Sequence, residues 1–127
     1  MTDVDPAQLQ GVRVLVVEDE ALVSMLLEDM LGDLGCEVVA VCSRVSQAVE
    51  TASDTTQTFD VAILDVNVAG EPVTPAAEAL AARGVPFVFA TGYGAGGQPD
   101  AFRDRPTLQK PFGMAEVEAR LREAVAR

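Results

Sequence analysis

Glu18, Asp19, Asp65, Thr91 and Lys110 are the residues of this chain whose types, taken together, can do chemistry. Three carboxylates held close in a partly dry site repel one another by about several kcal/mol. A hard divalent cation relieves that repulsion, and Mg²⁺ (or Mn²⁺) takes one or two carboxylates together with waters and phosphate oxygens. Lys110 adds a second positive charge and Thr91 a hydroxyl donor. Such a set suits a tetrahedral phosphoryl group, whose charge must be neutralised from several sides. A carboxylate can itself be the nucleophile and become an acyl phosphate, and Asp65 is the candidate. Acids often follow strands as helix caps, so each residue alone says little. The coherence of the set carries the weight.

Such a set needs elements that bring distant positions to one edge. Val12 to Val17 is a nearly continuous apolar run, the pattern of a strand buried on both faces, and it stops at Glu18-Asp19-Glu20. A helix is predicted from about Ala21 to Leu34, with Gly35 as its stop signal. Leu22, Val23, Leu26, Leu27, Met30, Leu31 and Leu34 fill one half of its wheel, and Met25 points away from that stripe. Cys36–Cys42 reads as a second strand, and Ser43 is placed to cap a helix over about Arg44 to Ala52. A third strand from Phe59 to Leu64 ends at Asp65. A loop through Asn67, Gly70, Glu71 and Pro72 leads to a helix from about Pro75 to Arg83. A fourth strand, Phe87 to Ala90, ends at Thr91. A fifth, Thr107 to Gln109, ends at Lys110-Pro111, and a helix from Met114 to about Ala126 closes the chain. Alternation of strands and helices means a doubly wound parallel α/β sheet with right-handed crossovers. Ligands of such sheets sit at the carboxyl ends of the strands, where all the reactive residues fall. Residues 1–10 read as a polar N-terminal extension and 11–127 as one domain.

Composition narrows the function classes. At 127 residues and 49% hydrophobic, the chain fits one domain with its own core. A net charge of −11 argues against nucleic acid or an anionic membrane as partner. No apolar run is long enough to span a bilayer, and the acidic start Thr2-Asp3-Val4-Asp5 is no signal peptide. Cys36 and Cys42 lie six apart on one strand and read as small buried hydrophobes of a reducing cytoplasm. Without histidine or a Cys-x-x-Cys pair, a structural zinc site is excluded. The missing histidine also means that this protein cannot be a phosphohistidine carrier; any phosphohistidine must belong to another molecule. Lys110 is its only lysine.

From about residue 11 onward the chain resembles the receiver domain of two-component response regulators. The matching pieces are Val16-Val17-Glu18-Asp19-Glu20, Leu64-Asp65-Val66-Asn67, Phe89-Ala90-Thr91-Gly92-Tyr93 and Lys110-Pro111-Phe112. The Phe-Ala-Thr-Gly-Tyr stretch looks like the FAT GUY subgroup. The resemblance implies a flavodoxin-like (CheY-like) five-stranded sheet of order 2-1-3-4-5. It implies that Asp65 accepts a phosphoryl group from a sensor histidine kinase, of the HWE or a related type, or from a histidine phosphotransfer protein. Asp19 would be a direct Mg²⁺ ligand, Glu18 would act largely through water, and Asn67 would give its backbone carbonyl. Thr91 and Lys110 would each hold a phosphoryl oxygen. Pro111 matches a position where the family has a cis peptide, and Gly92 and Tyr93 are switch candidates.

Three departures bear on that expectation. The acceptor is followed by Val68-Ala69-Gly70-Glu71-Pro72 instead of the usual Met-Pro and Asp-Gly. Thr107 stands where the switch aromatic is usual, which leaves Tyr93 as a substitute. The stretch between Thr91 and Lys110 is short for a full fourth helix, and Gly94, Gly96 and Gly97 weaken it further. The fourth helix is therefore expected to be shortened or disordered, with residues 93–106 a mobile segment ordered by phosphorylation or by metal. Because the chain ends soon after its last helix, it reads as a stand-alone receiver that catalyses only its own phosphorylation and dephosphorylation. Met25 is either a lone exposed methionine or part of a docking face for the kinase. The competing functions are a small Mg²⁺-dependent phosphatase with an aspartyl nucleophile and a phosphorylation-independent binding module. The phosphatase would want an acid two residues after its nucleophile, where this chain has Asn67.

Overall fold

The computed structural model describes residues 9–92 and 98–126. The first half comprises β1 (Arg13–Val17), α1 (Ala21–Asp33), β2 (Glu37–Cys42), α2 (Val45–Ser53) and β3 (Val61–Asp65). A short ribbon follows, β4 (Asn67–Val68) with β5 (Glu71–Pro72), and then α3 (Thr74–Ala82), β6 (Phe87–Thr91), β7 (Thr107–Gln109) and α4 (Met114–Val125). The main sheet has the order β2-β1-β3-β6-β7 and is parallel at every pairing. With the ribbon set aside this is the expected 2-1-3-4-5, a flavodoxin-like fold.

Period-2 alternation sends successive strand residues to opposite faces, and each face is covered by helices. Leu15, Val17, Leu64, Phe87 and Phe89 pack on one side with Ala48 and Ala52 of α2 and Ala76 and Leu80 of α3. Val14, Val16, Ile63 and Val88 pack on the other with Leu27 and Leu31 of α1 and Val117 and Leu121 of α4. Among the described residues between β6 and β7 the only helix is a 3₁₀ turn over Asp100–Phe102, consistent with a shortened fourth helix. Phe102 meets the Phe87 ring edge-on at 5.2 Å, and the Arg105 guanidinium lies 4.3 Å from the same ring. Tyr93, Gly94, Gly96 and Gly97 lie outside the described residues, so the segment expected to respond to phosphorylation is described only from residue 98.

Several local expectations are corrected. Ser43 does not cap α2. That helix starts at Val45 with Arg44 at its cap position, and the Gln47 side chain reaches back to accept the Ser43 N–H at 3.1 Å. Leu22 and Leu26 are not core: they are 81% and 47% exposed, next to Met25 at 59%. The seam that faces the sheet is narrower, with Leu27 and Leu31 buried and Val23, Met30 and Leu34 partly so. Leu9, placed in the extension, is buried among the core residues between α1 and α4. β3 begins at Val61, and Asp60 just before it is held to Arg13, its carboxylate accepting the Arg13 N–H at 2.8 Å and Nε at 3.1 Å. The loop after Asp65 contains a short two-stranded ribbon. Ala69 (φ 51°) and Gly70 (φ 84°) form the two-residue turn of the β4–β5 ribbon, as in the hairpins whose two central residues are both left-handed.

Candidate functional site

Parallel strands ending at one level place the chemistry. Glu18 extends β1 by one residue, its N–H bonded to the Cys42 carbonyl at 2.9 Å, which draws its side chain into the sheet edge. It is buried, and both oxygens are occupied. Oε2 accepts the Glu20 N–H at 3.1 Å, and Oε1 lies 3.0 Å from Lys110 Nζ. Asp65 is the last residue of β3 and is buried. Its Oδ1 accepts the Asn67 N–H at 3.1 Å, and its Oδ2 accepts Lys110 Nζ at 2.9 Å. Asp19 is exposed and makes no ion pair among the described residues. One oxygen from each of Glu18, Asp19 and Asp65 lies within 4.8 Å of the others.

β6 and β7 supply the other side. Thr91 ends β6, is buried, and accepts the Lys110 N–H at its carbonyl, 2.8 Å away. Lys110 follows β7 directly, joined to Pro111 by a cis peptide. Gly92 is an exposed bend where an added methyl group would touch nothing. The structure thus brings Glu18, Asp19, Asp65, Asn67, Thr91 and Lys110 to one edge of the sheet. Tyr93 lies outside the described residues.

Lys110 is the only cation in contact with this group among the described residues, and it serves three acids. Glu20, the third, lies 3.6 Å from Nζ and was not singled out as a site residue. Its place directly after Glu18-Asp19 was the available signal. Burial works against the charged form of Lys110, but its hydrogen bonds to Asp65 and Glu18 outweigh that and hold its pKa well above the ordinary lysine value. Burial pushes the Glu18 carboxyl above its ordinary pKa, and the Lys110 ammonium and Glu20 N–H pull the other way without cancelling it. Four carboxylates against one ammonium leave an uncompensated negative charge at a partly buried edge.

That excess suits a hard divalent cation. Oxygens around Mg²⁺ at its usual bond length lie about 3 to 4 Å apart, so carboxylates already within 4.8 Å need only a small closure. Asp19 has a free carboxylate to offer, whereas both Glu18 oxygens are occupied. At the position three residues before the lysine, the Thr107 hydroxyl accepts Gln98 Nε2 at 3.0 Å and lies 3.3 Å from the Arg105 carbonyl.

A sequence model of the response regulator receiver domain matches residues 14–122. The transcriptional regulatory protein PdtaR of Mycobacterium tuberculosis is 32% identical over 130 residues; the alignment takes in 99% of this chain and 62% of PdtaR. Among solved structures, SdrG from Sphingomonas melonis Fr1 superposes with a TM-score of 0.80 at 46% identity, covering 92% of this chain and 98% of SdrG. The receiver domain of the sensor histidine kinase PA1611 from Pseudomonas aeruginosa PAO1 superposes with a TM-score of 0.75 at 25% identity, covering 92% and 99%. That structure has a magnesium ion coordinated in its active-site cleft. No helix among the described residues is long and apolar enough to cross a membrane.

Proposed function

The chain belongs to the response regulator receiver domain family, and from that premise we propose that Asp65 accepts a phosphoryl group from a phosphohistidine on a partner protein. The observation that carries this reading is the Asp65 carboxylate itself. It is buried at the end of the central strand, fixed through Oδ1 by the Asn67 N–H and through Oδ2 by Lys110. In the transfer an Asp65 oxygen forms a bond to phosphorus as the phosphorus–nitrogen bond to the imidazole breaks. The imidazole keeps that electron pair, and Asp65 becomes a mixed anhydride. Lys110 then pairs with a phosphoryl oxygen in place of the Asp65 oxygen it now holds, and Thr91 donates its hydroxyl to another. Asp19, Asp65 and the Asn67 carbonyl would hold Mg²⁺ (or Mn²⁺), which when bound supplies positive charge against the phosphoryl oxygens. Glu18 acts on that charge balance through Lys110.

The donor is a sensor histidine kinase, of the HWE or a related type, or a histidine phosphotransfer protein. Leu22, Met25 and Leu26 support a docking role for α1, because they expose apolar surface one and two turns from Asp19 and Glu20. The motif Phe89-Ala90-Thr91-Gly92-Tyr93 supports membership of the FAT GUY subgroup. Two free buried cysteines suit the reducing cytoplasm. The protein turns over no external substrate on this reading.

Incubation with Mg²⁺ and acetyl phosphate tests it. The expected product is an adduct of about 80 Da, one phosphoryl group, on the parent and none on Asp65→Ala. Sustained turnover of phosphomonoesters would identify a phosphatase instead, and no reaction a binding module.

A further inference from the structure

The residue that joins the acceptor to the metal site is Asn67, and what fixes Asn67 is the β4–β5 ribbon. Asn67 sits opposite Pro72 and Val68 opposite Glu71. Val68 and Val73, on either side of the turn, are both buried against the α2 and α3 side of the core. The Val73 N–H bonds to the Val66 carbonyl at 3.1 Å, and the Val66 N–H bonds to the Ala90 carbonyl at 3.0 Å. Both ends of the segment are therefore tied to the sheet, and its two-residue turn sets the register between them. With Val66 bonded to Val73 and the two-residue turn closing at Val68 and Glu71, Asn67 and Pro72 form a non-hydrogen-bonded pair, so the Asn67 N–H and carbonyl both face away from β5. The Asn67 N–H goes to Asp65 Oδ1 rather than to β5.

We propose that the left-handed turn at Ala69 and Gly70 is a positioning device for the acceptor. By closing the ribbon it holds the Asn67 backbone so that its N–H orients Asp65 and its carbonyl stays open toward the divalent cation. Gly70 and Ala69 are positioning residues, acting only through Asn67. The inference rests on the receiver reading for the identity of the ligand, and its test separates the two.

Gly70 (φ +84°) and Gly84 (φ +73°) make a matched pair. Neither would bring a new Cβ within 4 Å of another atom, so alanine at either imposes the backbone penalty of a left-handed residue and little else. Gly70 turns the ribbon, whereas Gly84 ends α3 at the opposite end of the sheet. The measurement is a Mg²⁺ titration of each full chain followed by the Asn67 amide signal, with thermal midpoints recorded in parallel. Gly70→Ala is expected to weaken Mg²⁺ binding roughly tenfold, the usual scale for loss of a supporting contact around a metal. Gly84→Ala should lower the midpoint similarly and leave binding unchanged. Gly70→Asn, a residue that tolerates the left-handed conformation, should keep parental affinity and keeps the test decisive should the alanine variant not fold. Unchanged affinity in Gly70→Ala, an equal loss in Gly84→Ala, or a tenfold loss in Gly70→Asn would each overturn the positioning role. A parent chain that neither binds Mg²⁺ nor takes up a phosphoryl group would overturn the receiver reading instead.

Discussion

The two ends of the parallel sheet treat charge in opposite ways. At the amino ends of the strands, two arginines each have their own partners. Arg13 grips Asp60 through its N–H, Nε and Nη2, and Arg83 satisfies the carbonyls of Ala52 and Gln57 at 2.7 Å each while lying over the Phe59 ring. At the carboxyl ends, Glu18, Glu20 and Asp65 share Lys110, with Asp19 beside Glu18 and Asp65, and no other cation among the described residues pairs with them. One end is arranged for stability. The other concentrates like charge, as functional sites do.

The comparison breaks first at Lys110. Without Mg²⁺, Lys110→Ala leaves Glu18 and Asp65 buried and uncompensated, and should cost roughly 3 kcal/mol, the scale for removing one partner of a buried ion pair. Saturating Mg²⁺ should return much of that, because a ligand at about a hundred times its dissociation constant adds about 2.7 kcal/mol to the folded state. Urea melts with and without the cation measure both. A variant as stable as the parent would mean that the ammonium is not what holds the acids together. Asp19→Asn reverses the sign. Removing one exposed negative charge from the cluster should raise the metal-free thermal midpoint by roughly 2 °C. The same change should weaken Mg²⁺ binding by about 100-fold. Stability and binding moving together would erase the distinction between the two ends.

Which parts of this were legible in the sequence follows the same division. Glu18, Asp65 and Thr91 could be read because each stands at the end of a strand with a clear apolar run, and a parallel sheet brings such ends to one edge. Strand order came from the resemblance to receiver domains rather than from the runs themselves, and the lack of a regular helix among the described residues 98–106 follows the short, glycine-rich spacing before Thr107. Less legible was anything decided by a single distant contact. Phe59 continues the apolar run toward Val61, and no local pattern reveals that Asp60 between them is held by Arg13, 47 positions away. Leu22 and Leu26 fit the helical period as well as Leu27 and Leu31 do, but the period cannot say how wide a strip the sheet covers. The β4–β5 ribbon escaped notice because Ala69 is a poor signal for a left-handed turn. Leu9 escaped because a lone leucine among polar residues has no period at all.

Asp60→Asn is the smallest expected change and the control for the others. The substitution leaves the carbonyl oxygen to accept one bond but removes the charge that Arg13 grips, and both side chains are more than a third exposed. Solvent screening therefore limits the loss, and the midpoint should fall by only about 2 °C at neutral pH, with Mg²⁺ binding unchanged. Its pH dependence identifies the cause. The Arg13 hydrogen bond holds the Asp60 carboxyl below its ordinary value of 3.8. The unfolded chain therefore binds that proton more tightly than the folded one. The contribution of the pair is fully present above the unfolded value and disappears as the pH falls through the lower, folded one. The gap in midpoint between parent and variant should be constant from neutral pH down to about 5 and close below about 3. A gap that persisted in acid would assign the loss to packing, and one that altered Mg²⁺ affinity would tie the amino end of the sheet to the site at the other.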